Sequence, residues 1–444
     1  MQFTSRQQEL TALTKIRERS FTRGQMTVVT GRRRIGKTRL IKESLTGEKY
    51  LYFFVARMDE PLLCEGFSRH IEESLGVRII GTITRFIDIF RYVIDLAKQQ
   101  QVNLVIDEFQ EFFRINPSVY SEMQNHWDAN RETMKLNLIL SGSVYSLMQK
   151  IFRDYGEPLY GRASNYLHIR PFSPSVLRGI MQQHAPDHGP SDLLTLYILS
   201  GGVPKYVELF VDKEALTHAE MLDLFLSPDE IFLEEGRDVL IQEFGKEYGT
   251  YFSILTLIAA GRTSRAEVES VIQKNVGGQM QRLEEDYLII KRRRPMFSKV
   301  GTRSIRYAID DNFLNFWFRF IYKYAGIVEL GNYDYLRDLI DRDFTTYAGP
   351  ILEKLIRLQL AESQQYSAIG QYWQRNGENE IDVIALNELT KQAVVGEVKL
   401  QEKNINLEKL KLKAEAIQRD LAGYTVTYRG FSLNDILDSP PNGT

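Results

Sequence analysis

The sequence has few of the residues from which disulfides and soft metal sites are built. Cys64 is the single cysteine among 444 residues, so an intrachain disulfide and a cysteine-based zinc site are both excluded. With 6 histidines scattered along the chain, a histidine-rich metal site is not expected either. Such cysteine usage is typical of a reducing compartment, and we expect a cytoplasmic protein.

Long apolar runs and an excess of charge of one sign are also missing. The longest apolar stretches, such as Tyr251–Ala260, are far shorter than the roughly 20 residues that cross a bilayer, so no membrane partner is expected. The N-terminus lacks an apolar signal core. Because 56 basic residues face 58 acidic ones, any nucleic-acid surface must be a local patch.

The composition otherwise resembles that of a soluble globular protein, with 43% hydrophobic and 26% charged residues. That balance excludes a largely disordered chain. The length is about three times the roughly 150 residues of a typical domain, so we expect two to four domains.

The first 170 residues alternate short apolar runs with longer amphipathic stretches. The apolar runs predict strands at Met26–Thr30, Lys49–Val55, Val102–Asp107, Leu136–Ser141 and Tyr166–Ile169. Helical spacing falls between them, at Thr38–Leu45, Pro61–Leu75, Arg85–Gln100 and Ser118–Met134. Strands that alternate with helices predict an α/β fold with a parallel sheet covered on both faces.

A glycine-rich loop follows the first predicted strand and opens a helix. Its residues match the pattern G-x-x-x-x-G-K-[ST] in full: Gly31, Arg32, Arg33, Arg34, Ile35, Gly36, Lys37 and Thr38. Glycines let backbone N–H groups close around phosphate oxygens, a lysine reaches the β and γ phosphates, and a threonine hydroxyl can hold Mg²⁺. A chance turn before a helix is the alternative, but the strand–loop–helix context predicts a site for ATP.

A second motif supports this site. The apolar strand at residues 102–107 ends in Asp107 and Glu108, about 70 residues after the loop. Asp107 is expected to bind Mg²⁺ and Glu108 to polarise the attacking water. The next strand ends at Ser141, where a polar sensor of the γ-phosphate is expected, although a simple turn would also explain this residue.

Five motifs in order, GRRRIGKT, VIDEFQEF, LSGS, PLYGR and GGVPKY, resemble the archaeal-type ATPases of the AAA+/STAND group over residues 1 to about 240. The resemblance implies that Phe3–Leu10, which includes Arg6, lies on the adenine side; Ser5 departs from the usual glycine. It also implies that Arg162 is a trigger arginine, acting in cis or from a neighbouring subunit of a homo-oligomer. A surface ion pair is the alternative for Arg162. The glycines of GGVPKY would mark a helical lid.

Residues 248–309 predict three short helices and then a strand pair, the order of a winged helix. The strand pair carries four consecutive cations, Lys291, Arg292, Arg293 and Arg294. A basic hairpin beside a polar helix suits contact with the phosphates of double-stranded DNA. A winged helix that serves only for protein packing, with a solvated basic turn, is the alternative.

The C-terminal region predicts a helix, three strands, a helix and a strand. Glu353 lies in the first helix, Asp382 in one strand, and Glu397 with Lys399 in the next. Glu397 and Lys399 share a face because side chains alternate along a strand, and a hairpin brings Asp382 alongside. Two acids and a lysine on one sheet surface can hold Mg²⁺, activate water and steady a phosphate.

The spacing D-x14-E-x-K and this element order resemble the PD-(D/E)xK nuclease core, and the DUF234-type segment attached to the same ATPases is of this kind. The resemblance implies that Asp382 and Glu397 bind Mg²⁺ or Mn²⁺, that Lys399 is catalytic, and that Glu353 is the supporting helix acid. An exposed strand edge with alternating charge is the alternative.

Together these features predict an α/β multidomain protein. The expected domains are a P-loop ATPase core (1–170), a helical lid (171–246), a winged helix (247–310), a helical connector (311–345) and a PD-(D/E)xK-like domain (346–444). The expected function is an Mg²⁺-dependent ATPase coupled to DNA binding and to metal-dependent DNA cleavage. The alternative is a nucleotide-gated regulatory or scaffolding switch with a catalytically silent nuclease-like domain.

Overall fold

A computed structural model describes residues 5–244, 248–299, 301, 304–374 and 379–437. Phe3 and Thr4, which belong to the predicted adenine-side segment, lie outside these ranges. The chain divides after Arg170 into two compact units.

The first unit is built on a parallel sheet of five strands. The strands are β1 (Gln25–Thr30), β2 (Leu51–Phe54), β3 (Val102–Asp107), β4 (Leu136–Gly142) and β5 (Asn165–His168). Their order is β2-β3-β4-β1-β5, and all neighbouring pairs are parallel. Strands β1, β3 and β4 are buried along their whole length, as expected where helices cover both faces of a parallel sheet. The predicted fold of this unit is confirmed.

The helices of this unit are α1 (Gln7–Ser20), α2 (Lys37–Ser44), α3 (Glu60–Leu75), α4 (Phe86–Gln99), α5 (Phe112–Ile115), α6 (Ser118–Asn130) and α7 (Tyr145–Arg153). An aromatic core fixes α3 and α4 against the sheet. The rings of Phe53 and Phe67 stack at 4.3 Å, and Phe86 lies 4.5 Å from Phe112. This packing holds the carboxyl ends of β1, β2 and β3 in place, and the predicted nucleotide residues lie there.

The second unit begins with five helices. They are α8 (Pro174–His184), α9 (Pro190–Ser200), α10 (Pro204–Asp212), α11 (His218–Leu226) and α12 (Phe232–Phe244). The chain turns sharply at Gly202, whose φ is 73°. A Cβ atom there would lie 2.6 Å from the carbonyl oxygen of Phe172, so a side chain would collide with backbone.

Three helices and a two-stranded antiparallel sheet follow. They are α13 (Tyr248–Ala259), α14 (Arg265–Ile272), α15 (Gly277–Glu285), β6 (Ile290–Arg293) and β7 (Arg306–Ile309). The Ser264 hydroxyl caps α14 by accepting from the Glu267 N–H, as the serine-then-glutamate pattern predicts. The elements have the predicted order.

The aromatic segment after β7 forms α16 (Asn312–Phe316), a π-helical turn (Trp317–Tyr322), α17 (Ala325–Glu329) and α18 (Tyr333–Glu362). The Trp317 indole donates to the Leu233 carbonyl over 2.7 Å, which ties this segment to α12. Helix α18 is 30 residues long and runs through the expected boundary between residues 345 and 346. No helix in the described ranges is both long and apolar enough to cross a membrane.

The C-terminal region forms a separate four-stranded sheet. Its elements are β8 (Ala368–Tyr372), β9 (Ile381–Asn387), β10 (Gln392–Val398), α19 (Leu407–Ala414) and β11 (Thr425–Phe431). The order is β11-β10-β9-β8, with β10–β11 parallel and the other pairs antiparallel. Helices α18 and α19 both contact the sheet. The predicted sequence of helix, three strands, helix and strand is present.

Candidate nucleotide and nuclease-like sites

The phosphate loop connects the buried strand β1 to helix α2 in a conformation that needs glycine. Gly31 has a φ of 152°, and a Cβ atom there would lie 2.7 Å from the carbonyl oxygen of Ile169. Gly36 caps α2 with a φ of 88°. Both glycines of the motif therefore permit a backbone path that most side chains disfavour. The loop ends at the N-terminus of α2, where free N–H groups favour an anion.

Lys37 lies buried under this loop. Its ammonium donates to the carbonyl oxygen of Gly31 over 2.8 Å and to that of Arg32 over 3.2 Å. Both acceptors belong to the loop itself, so the charge is held where the loop would surround a phosphate. This is the position that the motif predicts.

Thr38 in the first turn of α2 and Tyr52 on β2 both contact Asp107 at the carboxyl end of β3. The Thr38 hydroxyl donates to Asp107 Oδ2 over 2.8 Å, and the Tyr52 hydroxyl donates to the same oxygen over 2.5 Å. Hydroxyl and carboxylate oxygens are the hard ligands that Mg²⁺ prefers. Thr38 and Asp107 therefore fit the predicted Mg²⁺ site.

Glu108 follows Asp107 in a left-handed backbone conformation, with a φ of 55°. Its Oε2 accepts from the Ser143 hydroxyl over 2.7 Å and from Gln110 Nε2 over 2.5 Å. Positive φ is uncommon outside glycine and is often found where a functional side chain is held in place.

The role of Ser141 as polar sensor stays a prediction. Its side chain is fully buried within β4, and its hydroxyl has no hydrogen-bond partner among the described residues. Ser143, two residues later, holds Glu108. Gly142 between them leaves room for this arrangement, since a Cβ atom there would lie 2.4 Å from Gln110 Oε1.

Arg6 and Arg162 have partners of their own in this unit. Arg6 is buried and donates to the Arg170 carbonyl over 2.7 Å and to Glu9 over 3.2 Å. Arg162 pairs with Asp128 of α6 at 3.2 Å, which matches the ion-pair alternative for this residue. A role of Arg162 in a neighbouring subunit stays a prediction.

Two of the four cations predicted to contact DNA form ion pairs with acids of the chain itself, and a third lies near acids. Lys291 pairs with Asp310 at 2.7 Å, and Arg292 pairs with Glu284 at 2.6 Å. Burial lowers the pKa of Arg293, although the charges of nearby Asp310 and Glu353 act in the opposite direction. On β6, Lys291 is exposed and Arg292 and Arg293 are half-buried, whereas Arg294 lies beyond the strand and is exposed.

The loop after β6 is anchored to the C-terminal sheet. The Met296 N–H donates to the Gln371 carbonyl over 2.8 Å, and Met296 and Phe297 pack against the sheet's hydrophobic core. Arg306 of β7 pairs with Glu380 at 2.6 Å and lies over the Trp373 ring. The hairpin therefore packs against the C-terminal sheet region and does not project freely into solvent.

The predicted nuclease-like residues converge at one end of the C-terminal sheet. Asp382 on β9 accepts from the Val398 N–H over 2.9 Å, and Glu397 on β10 accepts from the Asn406 N–H over 2.7 Å. Burial raises the pKa of Asp382, and its hydrogen bond to Val398 opposes that shift. Each carboxylate thus keeps one oxygen fixed by backbone.

Two lysines compensate these acids. Lys399 Nζ lies 3.9 Å from Asp382 Oδ2 and 3.7 Å from Glu397 Oε1. Lys413, on α19, lies 3.8 Å from the same Glu397 oxygen. Lys413 was not predicted, because only the packing of α19 on the sheet brings it to the motif.

Helix α18 supplies the fourth predicted residue. Glu353 pairs with Arg357 at 3.6 Å, and Arg357 also donates to the Asp382 carbonyl over 2.6 Å. Burial, followed by the nearby charge of Asp382, raises the pKa of Glu353 to about 7. Glu353 and Lys399 line a cleft of about 310 Å³. Within the described ranges, no cluster of three or more histidine, cysteine or acidic residues is placed to hold a metal, so Asp382 and Glu397 form a pair of carboxylates.

Comparison with known protein families gives a match for the N-terminal region and another for the C-terminal region. Residues 3–210 match a family described as an ATPase domain predominantly from Archaea. Residues 317–413 match DUF234, described as archaea bacterial proteins of unknown function.

Individual relatives and a solved structure also match this chain. An uncharacterized protein of Methanocaldococcus jannaschii is 30% identical over 408 residues, covering 89% of this chain and 87% of the relative. A second uncharacterized protein of that organism is 36% identical over 69 residues, covering 16% of this chain and 67% of the relative. The Walker-type ATPase of Pyrococcus abyssi shares the fold, with a TM-score of 0.52, 16% identity, and coverage of 69% of this chain and 94% of that one. The chain therefore belongs to the archaeal-type ATPases that carry a P-loop ATPase domain followed by a C-terminal DUF234 domain.

Proposed function

We propose that this ATPase is coupled to DNA processing, and that its C-terminal domain cleaves double-stranded DNA with Mg²⁺ or Mn²⁺. The observation that carries the cleavage proposal is the convergence of Asp382, Glu397 and Lys399 at one end of a sheet. We also propose a cytoplasmic location, which the chain's single cysteine supports.

In the ATPase unit, Lys37 would neutralise phosphate charge, and Thr38 with Asp107 would hold Mg²⁺. The bound cation would supply charge compensation at the phosphates. Glu108 would then orient the attacking water, because its carboxylate is already held by Ser143 and Gln110. Adenine-side contact of Arg6 belongs to the same proposal.

In the C-terminal domain, Asp382 and Glu397 would hold the divalent cation through hard oxygen ligands. A metal of this kind lowers the pKa of water so that hydroxide is available at neutral pH. Lys399, between the two acids, would orient that water or offset the negative charge that develops on the phosphate. Glu353 supports the site from α18, and with a pKa of about 7 it can keep or release a proton near neutrality.

The winged-helix proposal rests on the three helices and the hairpin of residues 248–309. Lys291 and Arg292 are in ion pairs and Arg293 is half-buried, so Arg294 is the hairpin cation that we assign to DNA phosphates. The anchored hairpin loop would link a DNA contact to the C-terminal sheet.

Metal binding tests the cleavage proposal before any activity is measured. Calorimetric titration of the whole protein with Mn²⁺ should show a site that Asp382→Asn removes, because a carboxylate ligand becomes a neutral amide. Lys399→Gln should keep the site. Glu402→Gln, which removes one acid from the turn after β10, serves as the charge control. Equal Mn²⁺ binding by wild type and Asp382→Asn would contradict the assignment.

A nucleotide-gated regulatory or scaffolding switch is the second candidate. It is favoured by the way the chain's own Lys399, Lys413 and Arg357 already compensate the buried carboxylates. In that case the C-terminal domain would bind DNA or protein without cutting. Wild-type protein that hydrolyses ATP but takes up no Mn²⁺ at this domain would support the switch over the nuclease.

The oligomeric role of Arg162 can be tested by mixing inactive variants. Arg162→Ala protein keeps its own phosphate loop, whereas Lys37→Ala protein keeps its arginine. Recovery of ATP hydrolysis in the mixture would place Arg162 in a neighbour's site within a homo-oligomer. Without recovery, Arg162 either acts in cis on its own subunit's nucleotide or serves only in the pair with Asp128.

A further inference from the structure

Tyr52 makes a contact with the ATPase centre that the sequence motifs do not include. Its hydroxyl donates to Oδ2 of Asp107 over 2.5 Å, the same oxygen that accepts from Thr38. The other carboxylate oxygen, Oδ1, accepts from the Glu108 N–H over 3.0 Å. Asp107 is therefore fixed by three donors from β2, α2 and its own strand end.

The rest of Tyr52 is held by two helices. Its backbone N–H donates to His70 Nε2 of α3 over 3.1 Å, and its ring lies 4.8 Å below the Lys42 ammonium of α2. Strand β2 pairs with β3 so that Tyr52 is opposite Val105, two residues before Asp107. The hydroxyl thus reaches Asp107 from a ring whose position is set by the sheet and by both flanking helices.

The phenol acts only as a donor here. Its partner is a carboxylate oxygen, which accepts hydrogen bonds, so the hydroxyl points its proton at Asp107. A threonine hydroxyl can donate its proton to a carboxylate and still present a lone pair to a cation. If Tyr52 fixes Asp107, it therefore also sets the direction in which the Thr38 hydroxyl points.

We propose that Tyr52 is a positioning residue for the Mg²⁺-binding pair Thr38 and Asp107. It acts through Asp107 rather than on nucleotide. Partners that orient metal ligands in this way typically change metal affinity by about 10- to 100-fold when removed. The opposing interpretation is that Tyr52 only packs between α2 and α3.

The gain in nucleotide affinity that Mg²⁺ gives separates these interpretations. We would measure ADP binding by calorimetry for the whole protein, once with Mg²⁺ and once with EDTA, and take the ratio of the two affinities. Tyr52→Phe keeps the ring and removes the hydroxyl. We expect it to lower the ratio by roughly tenfold, with the EDTA affinity unchanged.

Two further variants calibrate the result. Tyr50→Phe makes the same chemical change at a tyrosine two residues earlier. It should leave the ratio of the Mg²⁺ and EDTA affinities as in wild type. Asp107→Asn should abolish the gain, because it removes the charged ligand itself. The proposal is overturned if Tyr52→Phe keeps the wild-type ratio while Asp107→Asn loses it. It is also overturned if Tyr52→Phe weakens binding equally with and without Mg²⁺, or if wild type shows no Mg²⁺ gain.

Discussion

The Ser143 hydroxyl donates to Oε2 of Glu108 over 2.7 Å, which joins the end of β4 to the acid after β3. The same oxygen accepts from the buried side chain of Gln110. Two neutral donors of the protein itself thus fix the orientation of this carboxylate. An acid held in this way loses little orientational freedom when it meets its substrate water.

Removal of the Glu108 charge should separate ATP binding from ATP turnover. Glu108→Gln keeps the size of the side chain but loses the carboxylate that orients water, so hydrolysis should fall by about 100-fold or more while ATP stays bound. Lys37→Ala should instead weaken ATP binding, because the phosphates lose a buried cation. Nucleotide affinity and steady-state hydrolysis, measured on both variants, check this prediction. Equal turnover in wild type and Glu108→Gln would mean that another group activates the water.

Ser143, which contacts Glu108, and Ser141, the predicted sensor, give a matched pair of serine variants. Ser143→Ala removes a hydrogen bond to a charged group, typically about 1.5–3 kcal/mol, and should slow hydrolysis by at least about tenfold. Ser141→Ala removes a buried hydroxyl without a described partner and should leave the rate nearly unchanged. The rates at saturating ATP decide between them. A larger loss for Ser141→Ala would assign the sensor role to that residue.

The hairpin should contribute one phosphate contact rather than four. Arg294→Ala should reduce the slope of log affinity for duplex DNA against log salt by about one, since each lost phosphate contact releases one counterion fewer. Arg292→Ala breaks the pair with Glu284 and should leave that slope unchanged. Fluorescence anisotropy over a salt series measures both. A reduced slope for Arg292→Ala would show that this arginine leaves Glu284 to reach DNA.

Glu353 should make stability depend on pH in a definite direction. Its pKa is about 7 in the folded chain, above the usual value of about 4.3 for glutamate, so the folded state binds its proton more tightly. The resulting stabilisation is complete below about pH 4 and is lost as pH rises to about 7. Glu353→Gln stays neutral and should gain stability relative to wild type across that window.

Urea unfolding in EDTA at pH 5 and pH 8 measures this gain. The free energy of unfolding of Glu353→Gln should exceed that of wild type by a difference that grows from pH 5 to pH 8. This growth should be on the order of 1–3 kcal/mol. Glu402→Gln, at an exposed turn, provides the control. A difference that is constant with pH would contradict the raised pKa.

Features that the sequence could predict are those whose residues are adjacent along the chain. The phosphate loop, Asp107 with Glu108, and the spacing from Asp382 to Lys399 all lie in short segments, and alternation along strands gives their faces. The parallel sheet of the first unit followed for the same reason from its apolar runs.

Residues that enter a site through packing could not be predicted. Tyr52 reaches Asp107 because β2 pairs with β3 in one register, and Lys413 reaches Glu397 because α19 packs on the sheet. The partners of Lys291 and Arg292 likewise come from the residue after β7 and from α15. A run of like charge therefore indicated an open basic surface, whereas the fold pairs two of these cations with acids and leaves Arg294 exposed.

The expected domain boundary between residues 345 and 346 shows a different limit. Proline favours the end or the first turn of a helix, so Pro350 indicates a break between two helices near this boundary. Helix α18 nevertheless runs from Tyr333 to Glu362 through Pro350. Packing of its apolar residues on both sides of the proline outweighs the local preference.

DNA cleavage by the purified protein tests the central claim most directly. Linear and supercoiled duplex DNA would be incubated with Mg²⁺ or Mn²⁺, with and without ATP, using wild type, Asp382→Asn, Lys399→Gln and the control Glu402→Gln. We expect metal-dependent cutting by wild type and by Glu402→Gln, and a loss of about 100-fold or more in the two site variants. DNA left intact by wild type, or cut equally by Asp382→Asn, would contradict it.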